Sequence, residues 1–173
     1  MDVVWSQHIQ GCMTLYASRS LRFHDRFRDR YLPLFDLPEG PLRILEIGCG
    51  PGALAEALHR WRPGAEIIGL DRDRGFIQFA RERVQGVEFR EGDATDLPFG
   101  NGSFDVTISN TVQEHVEPSS FFGEQQRVLK PGGVCLVLSS RKGLHVSAPC
   151  LEWDEAERAF WEKVTALDDS MEK

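Results

Sequence analysis

Arg43-Ile44-Leu45-Glu46-Ile47-Gly48-Cys49-Gly50-Pro51-Gly52 is the stretch on which the fold turns. Five mostly apolar residues suited to a strand run into three glycines within five positions, and Leu54, Leu58 and Trp61 then mark the apolar stripe of a helix that stops before Pro63-Gly64. Glycines at such a turn let the backbone reverse tightly and come close to a ligand. The free N–H groups at the helix start can receive an anionic group. Outward from this unit the same alternation recurs. Ile67–Leu70 reads as a second strand ending at Asp71, and Phe76, Ile77, Ala80 and Val84 suit a helix. Val87–Phe89 reads as a third strand leading to Gly92-Asp93, and Phe104–Ser109 as a fourth after the Asn101-Gly102 turn. A helix over roughly 119–129 should end at Lys130-Pro131-Gly132-Gly133, before a uniformly apolar fifth strand, Val134–Leu138. Strands alternating with helices predict an α/β fold, a doubly wound and mostly parallel sheet of Rossmann type with helices on both faces.

Upstream, residues 19–36 read as one amphipathic helix, with Phe23, Phe27, Tyr31 and Leu34 at helical spacing and the arginines on a solvated face. Downstream, residues 154–168 read as a last helix. The organisation is therefore a helical lid segment over 1–40, a core over 41–140, and a loop and helix over 141–173.

The chain has 173 residues, 27% of them charged, and a net charge of −7. It fits one domain of ordinary size, and its acidic balance disfavours electrostatic capture of nucleic acid. No apolar run is long enough to span a bilayer, so no membrane partner is expected. The N-terminus lacks a secretory pattern. The four cysteines form no CxxC pair, so the natural reading is a reduced, cytoplasmic protein. The histidines outside position 115 show no metal-ligand spacing, and no metal is expected.

In open α/β sheets ligands bind beyond the carboxyl ends of the strands, so the first polar residues after each strand are the candidates. Asp71, 23 residues after Gly48, can accept both hydroxyl protons of a ribose. Gly48, Gly50 and Ala53 also satisfy a dinucleotide fingerprint, which keeps a nicotinamide-dependent oxidoreductase open. Glu46 and Asp93 tilt the reading. A carboxylate beside a pyrophosphate would be repelled, whereas one beside an ammonium group is favourable. Three acids around one glycine turn suit a positively charged nucleoside.

Five stretches in order, ILEIGCGPG (44–52), GLDRD (69–73), GDATDLPF (92–99), FDVTISNTVQEHV (104–116) and RVLKPGGVCLVL (127–138), resemble the motifs of class I S-adenosylmethionine-dependent methyltransferases, the small-molecule type of the methyltransferase type 11 group. The resemblance covers residues 41–140. It implies S-adenosylmethionine as cofactor and a small-molecule acceptor. It places Gly48, Cys49 and Gly50 along the methionyl part and Glu46 at the ammonium end. Asp71 falls on the ribose, Arg72 beside the adenine, Asp93 on the adenine amino group, Ala94 N–H on a ring nitrogen, and the Asn110 carbonyl on the methionyl amine. Methyl transfer from an activated sulfonium mainly needs alignment, and His115 is the candidate base where one is needed. Tyr16 and Arg19 are expected to close the site from the lid. The signature Asn-Pro-Pro-Tyr of amino-directed nucleic-acid methylation is absent, the corresponding stretch being Asn110-Thr111-Val112-Gln113. Binding motifs do not prove turnover, so a non-catalytic cofactor-binding protein also stays open. Sheets of this family ordinarily end in an antiparallel hairpin. Only five strands are read here, so the hairpin is expected to be missing, which leaves Val134–Leu138 at an open edge to be covered by chain continuing past 173, by a second copy or by the last helix.

Overall fold

The computed structural model describes residues 4–139. Its elements are α1 (Trp5–His8), α2 (Cys12–Arg22), a 3₁₀ turn (Asp25–Phe27), α3 (Arg28–Phe35), β1 (Arg43–Ile47), α4 (Ala53–Trp61), β2 (Glu66–Asp71), α5 (Arg74–Arg83), β3 (Glu88–Glu91), β4 (Phe104–Asn110), a second 3₁₀ turn (Gln113–His115), α6 (Pro118–Val128) and β5 (Leu129–Leu138). The five strands pair in the order β3-β2-β1-β4-β5, all in parallel. The alternation read from the sequence is thus a parallel sheet with helices on both faces. Successive residues of β1 serve opposite cores. Ile44 packs with α4 and the N-terminal helices, and Leu45 and Ile47 pack with Phe121 and Val128 of α6. Strand order reverses at β1, which lies between β2 and β4, so the crevice beyond the ends of β1 and β4 is where a ligand is expected.

Two expectations are corrected. Residues 19–36 are not one helix. The chain leaves α2 at Phe23 and is extended at His24 (φ −70°, ψ 147°), whose Nδ1 accepts from the Arg26 N–H at 3.2 Å. Asp25 accepts from Arg60 and from the Trp61 indole at 2.8 Å, which holds the chain against the end of α4. The break lets Phe23, Tyr31 and Phe35 form one aromatic cluster with Trp61. The spacing found Phe23 and Tyr31, but Leu34 stands 45% exposed and Phe35 packs in the core in its place.

The fifth strand begins at Leu129, not Val134. Lys130–Gly133 continues it through a register shift between Phe104 and Val106, with Gly132 at φ +79° and Lys130 Nζ on Asp105 at 2.8 Å. A proline here is tolerated because β5 is the edge strand among the described residues. The expected helix over 154–168, and whatever follows β5, lie outside the described residues.

Candidate functional site

Beyond the ends of β1 and β4 lies a cavity of about 180 Å³. The turn after β1 forms its floor. Gly48 (φ +69°) and Gly50 (φ +53°) are in the left-handed region, and a Cβ on Gly48 would overlap the Val112 side chain. The Gly48 and Cys49 N–H groups donate to Leu70 O at 2.7 and 3.0 Å, which fastens the turn to β2. Asp71 joins the same network. Its Oδ2 accepts from Gly50 N–H at 2.8 Å and its Oδ1 from Asp73 N–H at 2.8 Å. A carboxylate has about four lone-pair positions, so the bonds that orient Asp71 leave capacity for a ligand. Burial, and then the charge of Asp73, push its pKa above the usual carboxylate value, against the two N–H donors.

Glu46 is the most unusual group. It is 3% exposed, and its Oε2 has no hydrogen-bond partner among the described residues. Burial pushes its pKa up to about 8, with Asp71 adding to the rise and the Ala55 N–H and Arg19 opposing it. A buried polar atom without a partner costs free energy unless a ligand supplies one. A cationic donor at this place would satisfy Glu46 by charge and hydrogen bond together.

The other expected residues arrive from the remaining strand ends. Arg72, Asp93, Ala94 and Asn110 line the same cavity. Asp93 Oδ1 accepts from the N–H and hydroxyl of Thr95 at 2.7 and 2.6 Å, an Asx turn that holds its pKa below the ordinary value. The Asn110 carbonyl already accepts from the Thr111 hydroxyl at 2.6 Å. Thr111 in turn accepts from Arg19 Nη2 at 3.1 Å, so an arginine of α2 is tied to the end of β4. Thr111 has φ +58°, a conformation uncommon for a β-branched residue. Cys49 lines the cavity from the glycine turn, and burial pushes its thiol pKa well up, which disfavours the thiolate that a nucleophile needs. His115 lines the mouth, its ring edge-on to Trp5 with centroids 4.8 Å apart.

Tyr16 departs from expectation. It is not among the lining residues. Its hydroxyl donates to Glu56 at 2.6 Å and its ring packs on Phe79, so it anchors α2 to α4 and α5. A buried tyrosine needs a partner for its hydroxyl, and α4 provided one. Sequence reasoning missed Trp5, Leu15, Phe23 and Thr111 as lining residues. It also missed Ser6, whose N–H and hydroxyl both donate to the Asp73 carboxylate at 2.7 Å. Asp73 also caps α5 through Gly75 and Phe76 N–H. Burial pushes its pKa up, but these donors outweigh that and hold it below the usual value. One carboxylate thereby pins α1 to the start of α5. Among the described residues no acid, histidine and cysteine cluster could hold a metal ion.

A glycine turn and three acids at the strand ends, one of them Glu46 with its partnerless oxygen, thus line one crevice of a doubly wound α/β fold. Comparisons with known proteins identify the family. The methyltransferase domain family matches residues 45–137, and the chain belongs to that family. The fatty-acid O-methyltransferase of Mycolicibacterium smegmatis is 39% identical over 118 residues, which is 66% of this chain and 41% of that protein. The demethylmenaquinone methyltransferase of Thermus thermophilus is also 39% identical over 118 residues, 65% of this chain and 53% of that protein. The chain thus spans about half the length of these curated relatives. For the fold alone, a Methanococcus maripaludis protein solved as a candidate S-adenosylmethionine-dependent methyltransferase superposes with a TM-score of 0.64 at 19% identity, over 94% of this chain and 82% of that one.

Proposed function

We propose that this chain is an S-adenosylmethionine-dependent methyltransferase acting on a small, largely apolar acceptor. The observation that carries the reading is Glu46, a carboxylate buried at the glycine turn with an unsatisfied oxygen, where an ammonium group is favoured and a pyrophosphate is not. The residues present fit the cofactor. Glu46 would take its ammonium end, Asp71 its ribose hydroxyls, and Asp93 with the Ala94 N–H its adenine, with Arg72 alongside and the Asn110 carbonyl at the methionyl amine. When bound, S-adenosylmethionine supplies an activated methyl group. The chain's part is to align the acceptor and exclude water. Trp5, Leu15, Phe23, Val112 and Val116 give the cavity an apolar wall, which supports an apolar acceptor. The names of the two relatives, a fatty-acid O-methyltransferase and a demethylmenaquinone methyltransferase, support the same class. His115, which lines the mouth, would receive a proton from an acceptor that must lose one.

Titration of S-adenosylhomocysteine and of a nicotinamide dinucleotide against thermal stability tests the cofactor. A ligand at 100 times its Kd adds about 2.7 kcal/mol, and stabilisation by the dinucleotide alone would refute the reading. Asp71→Asn should weaken S-adenosylhomocysteine binding by about 1.5–3 kcal/mol in a calorimetric titration. Unchanged affinity removes Asp71 from the ribose. Turnover of labelled S-adenosylmethionine with fatty acids and quinols as acceptors separates an enzyme from a binding protein.

A further inference from the structure

The outer surface of the N-terminal helices carries a row of large apolar side chains. Among the described residues six large hydrophobic side chains stand out as exposed, and five of them, Val4, Ile9, Met13, Leu21 and Leu34, lie within the first thirty-four residues. Met13, Ala17 and Leu21 recur at four-residue spacing along α2, so they form one exposed stripe, with Leu21 72% exposed. The opposite face of α2 is engaged, since Leu15 and Arg19 line the cavity and Tyr16 is buried. The charge pattern is equally one-sided. Residues 3–18 contain no Asp, Glu, Lys or Arg, and no acid occurs between Asp2 and Asp25. Residues 19–30 then carry five arginines against two aspartates, a local excess of +3 in a chain of net charge −7.

We propose that this face of α2, with Ile9, docks on an anionic lipid surface. Charge complementarity favours that occupant. The apolar stripe runs into Arg22 and Arg28, both exposed, and an interfacial helix binds by a few buried apolar anchors together with basic residues at the headgroups. A specific protein partner is less well suited, because such interfaces engage roughly 20–30 residues a side and this stripe offers a handful. The expectation of no membrane partner rested on the lack of a spanning segment, and a peripheral surface needs none. Docking brings the apolar cavity wall, built from the other side of the same helices, close to molecules dissolved in the lipid. That consequence rests on the apolar-acceptor reading, whereas the docking itself does not.

The test is sedimentation of the full chain with vesicles of phosphatidylcholine alone and of equal parts phosphatidylcholine and phosphatidylglycerol. The chain is expected to sediment with the mixed vesicles, and molar salt should release it. The double variant Met13→Asp, Leu21→Asp should lower the partition coefficient at least about tenfold. So should Arg22→Glu with Arg28→Glu. Phe122→Asp, on α6, should leave it unchanged. All these side chains point away from the cavity, so circular dichroism and S-adenosylhomocysteine binding should match the parent chain. Failure to sediment with either vesicle overturns the proposal, as does equal binding to neutral vesicles or a double variant that sediments like the parent. A dimer in light scattering that Met13→Asp, Leu21→Asp dissociates overturns it in favour of a second copy. If vesicle binding holds while S-adenosylhomocysteine fails to bind, the cofactor reading falls and the docking surface stands.

Discussion

Glu46→Gln should stabilise the ligand-free protein while it cripples cofactor binding. The difference between the ordinary 4.5 and about 8, at 1.36 kcal/mol per pH unit, comes to about 5 kcal/mol. This is the cost of keeping the buried carboxylate ionised. A carboxyl whose pKa is higher folded than unfolded binds its proton more tightly in the folded state, so stability falls as pH rises from the unfolded toward the folded value and is level above it. From this group alone the cost is about 1 kcal/mol at pH 5, about 3 kcal/mol at pH 7 and nearly 5 kcal/mol at pH 9. Gln cannot ionise, so its advantage over the parent in urea unfolding should grow through the same series. Binding should show the reverse linkage. An ammonium group placed against Glu46 expels its proton, so titration at pH 7 in two buffers of different ionisation enthalpy should reveal release of close to one proton. Affinity should then climb up to about tenfold per pH unit as pH approaches 8, and the variant should show neither effect. A Gln advantage independent of pH, or binding without proton release, would refute the reasoning. An advantage that grows with pH, with a proton released on binding, makes the site a case of stability given up for function.

Gly48→Ala places a side chain at φ +69° and into Val112. It should cost about 2–4 kcal/mol in chemical unfolding, and a cost below half a kcal/mol would mean that the turn relaxes. Thr111→Val removes the bonds to Arg19 and to the Asn110 carbonyl. Trypsin should then cleave after Arg19 and Arg22 faster in the ligand-free variant, with Thr111→Ser restoring the parent rate. Equal rates in all three would show that α2 is held by packing alone. Ser6→Ala removes one of the two bonds that pin α1 to Asp73. It should cost about 1 kcal/mol and raise amide exchange over residues 5–8, and unchanged exchange would place the anchor elsewhere.

The sequence by itself determined the sheet, the turn and the acids around it. Short apolar runs such as Ile67–Leu70, alternating with helical stripes, fit strands buried on both faces, and three glycines in five residues leave few alternatives to a tight strand-to-helix turn. Because ligands in such folds collect at strand ends, Asp71 and Asp93 could be picked out by position and Glu46 by its place before the glycine turn, whereas Asn110 rested on the resemblance to the family. Tertiary structure decided what depends on partners distant in the chain. The break at Phe23–His24 exists because Asp25 finds Arg60 and Trp61 thirty-five residues and more away, and helical periodicity carries no trace of that. Tyr16 and Arg19 sit on one helix, yet one meets Glu56 and the other Thr111, and a one-turn separation in sequence does not say which faces the cavity. The left-handed Thr111 is held by its neighbours' hydrogen bonds and not by its own preference. Whether Glu46 is charged is likewise a property of its surroundings. Full burial and a nearby Asp71 raise its pKa, and neither the burial nor the distance between two acids twenty-five residues apart is written in the chain.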